Sequence, residues 1–176
     1  MIVPGIIVSL ITFPGVVVHE LAHQICCRIC KVPVFKVVYF QMGNPTGYVL
    51  HETTDNHWHQ LFISTGPFLF NTLVGGLIAL PASLPVFTFD NGNIFHYLLI
   101  YLGVSIAMHA FPSTGDAGSI WQTVKRPEAP LLFKILATPI VGIIYLGALG
   151  SMFWLDLAYG VAVAIWLPKL FISLLA

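Results

Sequence analysis

Charged side chains are scarce in this sequence. Asp, Glu, Lys and Arg together make up 8% of its 176 residues, against roughly a quarter in an ordinary soluble domain, so the chain is not built for water on every side. Net charge is zero and basic runs interleaved with aromatics are missing, which argues against nucleic acid as a partner. Cysteine is confined to Cys26, Cys27 and Cys30, and thiols crowded into one short stretch do not make a disulfide framework. A leader pattern is missing too. "MIVPGIIVSLITF" has no basic n-region and an apolar run too long for a signal peptide, so it is expected to stay as a first helix. Repeats and low-complexity linkers are absent, and the length suits one domain over residues 1–176.

Apolar residues fill the space that charge leaves, at 57% of the chain. Several stretches approach or exceed the ~20 apolar residues that a spanning helix needs. The expected fold is an all-α polytopic membrane protein of about five transmembrane helices, with a small membrane-associated β-hairpin after the first. Helix one covers about residues 2–29 and kinks at "FPGV", where Pro14 removes a ladder hydrogen bond. "VFKVVYF" and "GYVLHE" are β-branched and aromatic, and "QMGNPTG" between them is turn chemistry, which predicts the hairpin. Helix two covers about residues 58–84, interrupted at Gly66-Pro67. Helix three covers about 94–111, breaks at "FPSTG" and resumes over 116–124; helices four and five cover about 131–153 and 157–175.

Threaded through these spans, Arg28, Lys31, Lys36, Lys125, Arg126, Lys134 and Lys169 fall on or nearest one side, while Asp90 and Asp156 fall on the other. The positive-inside rule then predicts an N-terminus outside, a C-terminus in the cytoplasm, and a site opening to the cytosol.

Against this background "VVVHELAHQICC" stands out, because it places His19, Glu20 and His23 inside an apolar helix. Two histidines four residues apart share a helix face, and both imidazoles can reach one Zn²⁺. A glutamate about 100° round the helix can reach a water that the ion has acidified toward a pKa of ~7 and take its proton. Chance alone would produce this pattern somewhere in such a composition in roughly one chain of two hundred, and ionisable groups within membrane helices are functional candidates by default. Zinc needs a third protein ligand. Asp116 is the best candidate, since Pro112 and Gly115 break the helix just before it and irregular backbone in a membrane lines a cavity. A simple helix cap in "STGD" is the alternative. Cys26 shares the histidine face but lies about 10 Å along the axis from His19, so the thiols are expected to be packing residues. "HETTDNHWH" reads as a solvated interfacial loop anchored by Trp58, or else as a second metal cluster.

Taken in order, these motifs resemble the site-2 protease family of intramembrane zinc metalloproteases, over roughly the first 125 residues. "HELAH" looks like the family's HExxH; "NPTGYVLHE" is similar to its membrane-embedded β segment. "STGPFLFN" resembles its Gly-Pro-x3-Asn element and "HAFPSTGDAG" its Asn-x2-Pro-…-Asp-Gly motif. The resemblance implies hydrolysis of peptide bonds in or near a transmembrane segment of a membrane-protein substrate. It implies one zinc per chain on His19, His23 and Asp116, with Glu20 as the base. It maps a conserved asparagine onto Asn71, which either binds the substrate backbone or oxyanion or makes a polar contact between helices. Tyr48 and Val49 fall in a strand whose edge could hold unwound substrate. His109 stands where the family usually has asparagine; it binds substrate or is simply a satisfied histidine. Asp116 precedes Ala117 where the family has glycine, and the proline-to-aspartate spacing is one residue short. With no room for PDZ or CBS modules, recruitment would fall to the membrane core, a regulatory membrane partner or a homo-oligomer. Two other classes remain open: a divalent-metal transporter, which would need a relay of facing ligands across the bilayer, and a catalytically inactive scaffold.

Overall fold

The computed structural model describes residues 5–174; positions 2–4 and 175 of the first and last expected helices lie outside the described residues. The chain is mostly helical, with one two-stranded antiparallel sheet. Helices α1 (Gly5–Ile11) and α2 (Phe13–Ile29) replace the single kinked helix expected from the sequence, and they meet at 87°. The break is built by residues far apart in the chain. Thr12 ends α1 by placing both its N–H (2.9 Å) and its hydroxyl (2.7 Å) on the Val8 carbonyl. Pro14 opens α2, where its missing N–H costs nothing. The polar groups exposed at the bend find Ser105 of a later helix, whose hydroxyl accepts from Gly15 N (3.2 Å) and donates to Thr12 O (3.0 Å). Gly15 N also donates directly to Thr12 O (3.0 Å), so Ser105 gives each side of the bend a second partner.

Strands β1 (Val34–Val38) and β2 (Tyr48–His51) form the expected hairpin, pairing Val38 with Tyr48 and Val37 with Val49, with an irregularity between Val34 and Lys36. Asn56 then caps α3 (His57–Phe87), its side chain accepting from Trp58 N and His59 N. This helix runs unbroken through Gly66-Pro67, and at 1.5 Å per residue its 31 residues reach about 46 Å. Helix α4 (Ile94–Met108) returns along it at very close range. A Cβ on Gly75 would lie 2.7 Å from the Gly103 carbonyl oxygen, and one on Gly103 would lie 2.7 Å from Ala79 Cβ. Small residues let membrane-type helices approach this way, where dispersion rather than the hydrophobic effect must hold them.

Helix α4 stops at "FPSTG" as the sequence predicts, and α5 (Thr114–Val124) starts afresh from Ser113. Between α5 and α6 (Leu131–Gly150) lies the main core, centred on Ile120 and the fully buried Phe133, whose ring also meets His57 and Trp58. A short 3-10 turn (Ser151–Phe153) and Trp154 in the left-handed region (φ 64°) lead into α7 (Leu155–Val161). It continues through a π-helical turn (Ala162–Trp166) into α8 (Leu167–Ser173).

The direction of this last stretch corrects the sequence reading. Tyr159 bonds Thr72 (2.8 Å), Ser83 donates to Ile165 O (3.1 Å), and Lys169 Nζ donates to Phe87 O (3.2 Å). The α7–α8 stretch therefore runs parallel to α3, from its middle to its far end, and does not return to the start of α3. Helix α6 runs the same way, from Phe133 beside Trp58 to Gly147 against Phe111. Lys169 is thus parted from the other basic residues, and the described end of the chain sits at the α3–α4 connection rather than at the basic end as expected. The physical reason is that α3 offers Thr72, Gly76 and Ser83 as a polar, small-residue track that receives the final helix.

Two helical segments, His57–Phe87 and Leu131–Phe153, are long and apolar enough to cross a membrane, or three if the bent pair α1–α2 is counted as one span.

Candidate metal centre

Helix α2 presents His19, Glu20 and His23 toward the junction of α3, α4 and α5. The two imidazoles are oriented by main-chain carbonyls that proline-induced irregularity makes available. Pro67 has no N–H to give Ile63 O, its normal helical partner four residues back, and that oxygen is met instead by His23 Nδ1 at 2.9 Å. At the other break, Ser113 N no longer bonds His109 O as a continued α4 would require, and His19 Nδ1 meets that oxygen at 2.7 Å. Carbonyl oxygens only accept, so both Nδ1 atoms carry protons and both Nε2 atoms present lone pairs when the rings are neutral.

Those Nε2 atoms face each other at 3.2 Å, and Asp116 Oδ1 lies 3.5 Å from His23 Nε2. One ligand atom from each of His19, His23 and Asp116 lies within 4.8 Å of the others. A tetrahedral ion with bonds of ~2.0–2.2 Å sets its ligands roughly 3.3–3.6 Å apart; the His19–His23 and His23–Asp116 spacings approach this, and the whole set stays within 4.8 Å. A single proton would satisfy one contact in this cluster, whereas one cation satisfies all three. The residues present therefore fit a divalent metal.

Asp116 has one oxygen free for each of the two roles considered, ligand and capping partner. Its Oδ2 accepts from Ser113 N (2.8 Å) and Ser113 Oγ (2.7 Å), and the Ser113 hydroxyl caps Asp116 N in return (3.1 Å). Ser113 is the capping residue, and this reciprocal box leaves Oδ1 turned toward the histidines.

A cavity of about 570 Å³ opens over the cluster, and His19, Glu20, His23, Tyr48, Val49, His109 and Asp116 all line it. Glu20 is buried, with Gly47 directly against it: a Cβ at position 47 would stand 2.7 Å from Glu20 Cγ and 2.9 Å from Oε1. The hairpin can cover the carboxylate this closely only because residue 47 has no side chain.

Asn71 lies outside the cavity lining. It is wholly buried, and its two Nδ2 hydrogens are shared among the carbonyls of Gly15, Ile106 and His109 at 3.1–3.2 Å, tying α2, α3 and the end of α4 together beneath the site. The His109 ring contacts the Thr12 hydroxyl (2.8 Å), while its carbonyl serves His19. Sequence reasoning passed over Gln60 and Ser64, two buried polar residues that line the cavity and bond each other at 3.1 Å. Their signal was available, since His57, Gln60, Ser64 and Asn71 repeat at helical spacing along one face of an otherwise apolar helix. Among the described residues, "HETTDNHWH" assembles no second metal-ligating group; Asp55 faces Arg126 at 3.7 Å and Asn56 is the α3 cap. The cysteines pack, with Cys26 and Cys27 buried beside Val32 and Ile63, and Cys26 Sγ seated on Gly66.

No protein-family model, curated protein or solved structure matches the chain.

Proposed function

We propose that this chain is an intramembrane zinc metalloprotease that cleaves peptide bonds in or near transmembrane segments of other membrane proteins. One observation carries the reading: two imidazole lone pairs and a carboxylate oxygen converge beside a buried glutamate, in a cavity walled by a β-strand. Zinc bound by His19, His23 and Asp116 would supply Lewis-acid polarisation of the scissile carbonyl and acidify the attacking water. The protein's own groups do the rest. Glu20 takes the proton from water as its oxygen adds to the carbonyl carbon, then delivers that proton to the departing amide nitrogen as the C–N bond breaks. The β2 edge beside Tyr48 and Val49 holds the substrate extended, so that its carbonyls leave their helical hydrogen bonds. Gln60 and Ser64, on the α3 side of the same cavity, offer polar atoms to the substrate backbone.

In this reading the helical segments form a multi-pass membrane unit. Arg28, Lys31, Lys36, Lys125, Arg126 and Lys134 gather at the start of α3, which sets that end toward the cytosol. Lys169 and the described end of α8 then lie toward the opposite face.

The test is metal analysis of the purified chain together with cleavage of a model transmembrane substrate in vesicles. Wild type is expected to hold about one zinc per chain, to lose cleavage on treatment with a strong chelator, and to regain it with added zinc. A chain without bound metal, or cleavage that survives chelation, overturns the proposal. Metal uptake into the vesicles without cleavage would assign transport instead.

Gly47→Ala is expected to reduce cleavage about 100-fold, because a displacement of this kind near 1 Å carries such a cost, while zinc content stays unchanged. Turnover and metal stoichiometry measured on the same sample check it.

A further inference from the structure

Away from the catalytic cavity, a second groove of about 320 Å³ runs between the last turn of α2 and β1. Its polar lining is made of donors. Arg28 and Lys36 are exposed cations, and neither forms an ion pair among the described residues. Gln24 has its Oε1 taken by the Tyr39 hydroxyl at 2.6 Å, which leaves its amide N–H groups to donate. No carboxylate is among the residues lining the groove. The remaining wall is apolar, including Val32, Val34 and the two-thirds-exposed Phe35 (66%), and Ile29 beside Arg28 is 63% exposed. Cations and amide donors lining a groove, next to side chains suited to hydrocarbon, match a phosphate that carries acyl chains better than a free anion or an acidic peptide.

We propose that this groove binds the headgroup phosphate of an anionic phospholipid through Arg28, Lys36 and Gln24. The inference rests on the membrane placement proposed above but not on the proteolytic reaction. It has a consequence for the catalytic site all the same. Arg28 and Gln24 belong to the helix that carries His19 and His23, whereas Lys36 belongs to the hairpin. Lys36 Nζ also stands 5.6 Å from the ring centre of Tyr48, which lines the catalytic cavity. A lipid held between them ties the hairpin to α2 and steadies the strand that covers Glu20.

The experiment uses the full chain in vesicles of phosphatidylcholine alone, or with about one-fifth phosphatidylglycerol, and counts the lipids retained by native mass spectrometry. Wild type is expected to retain phosphatidylglycerol over phosphatidylcholine by roughly 10-fold or more. The doubly substituted chain Arg28→Gln/Lys36→Gln is expected to lose that preference; both side chains are exposed, so the fold stands. Lys125→Gln/Lys134→Gln, which removes two charges from the same end of the molecule, is expected to keep it. Equal loss in this control would mean unspecific surface charge and overturns the proposal, as does an unselective wild type. Displacement of the lipid by millimolar inorganic phosphate, which would mean a free-anion site, overturns it too. Because the readout is lipid retention, a negative result is separate from any failure of the protease reading.

Discussion

Replacing Glu20 by glutamine is expected to lower cleavage by roughly 10²–10⁴-fold, the range for loss of a positioned general base, while zinc stays at about one per chain. The separation follows from the geometry. The converging ligand atoms belong to His19, His23 and Asp116, and Glu20 stands beside them against Gly47. Glutamine has the same shape and fills the same space below the hairpin, so packing is kept and only the ability to take a proton is removed. Single-turnover cleavage and metal analysis on one preparation decide the matter. Cleavage near the wild-type rate would remove Glu20 from the mechanism, and loss of zinc would mean that Glu20 is a ligand.

Substitution of Asp116 should act on the metal first. Loss of an outer partner to a ligand already costs 10–100-fold in metal affinity, so loss of the ligand itself is expected to cost more than about 100-fold. Two variants separate its two oxygens. Asp116→Asn keeps an oxygen for Ser113 N and Ser113 Oγ, which now bond Oδ2 at 2.8 and 2.7 Å, but presents an uncharged group to the histidines. Asp116→Ala keeps the Ser113 cap on its backbone N–H but loses the carboxylate's half of the capping box, at about 1 kcal/mol. Both should fail to hold zinc in competition with a chromophoric chelator, and only the alanine variant should also lower the thermal midpoint of the metal-free protein. Retention of zinc by both would exclude Asp116 as the third ligand.

Much of this arrangement is legible in the sequence, for reasons that can be named. HELAH specifies a shared helix face by spacing alone. "QMGNPTG" announces the hairpin through its turn residues, and "FPSTG" announces the break between α4 and α5. Each of these is local chemistry. What the sequence conceals is long-range. The 87° bend at Thr12 is braced by Ser105, some ninety positions away, whose hydroxyl bridges both sides of the break. Hydrophobic runs report that a helix is apolar and how long it is, but not which way it travels, so assuming that spans alternate sent α7–α8 back to the basic end. The contact of Lys169 with the Phe87 carbonyl shows the opposite course. Asn71 and His109 each carried two readings in the sequence, and the contacts that bear on them are long-range: Asn71 bonds carbonyls of α2 and of the end of α4, and the His109 ring meets Thr12 while also lining the cavity.

The carbonyls of Ile63 and His109 bear on how freely this chain can vary. Both histidine rings are aimed by main-chain oxygens, and every amino acid carries one. The side chains at 63 and 109 are therefore interchangeable for this purpose, and having histidine rather than asparagine at 109 leaves the aim of His19 untouched. The burden passes to residues that shape the backbone. Pro67 withholds an N–H from Ile63 O, and the break around Pro112 turns Ser113 N to Asp116 and away from His109 O; neither proline lines the cavity. A search for the site's supports by side-chain chemistry alone would miss them, because what they contribute is a hydrogen bond not made.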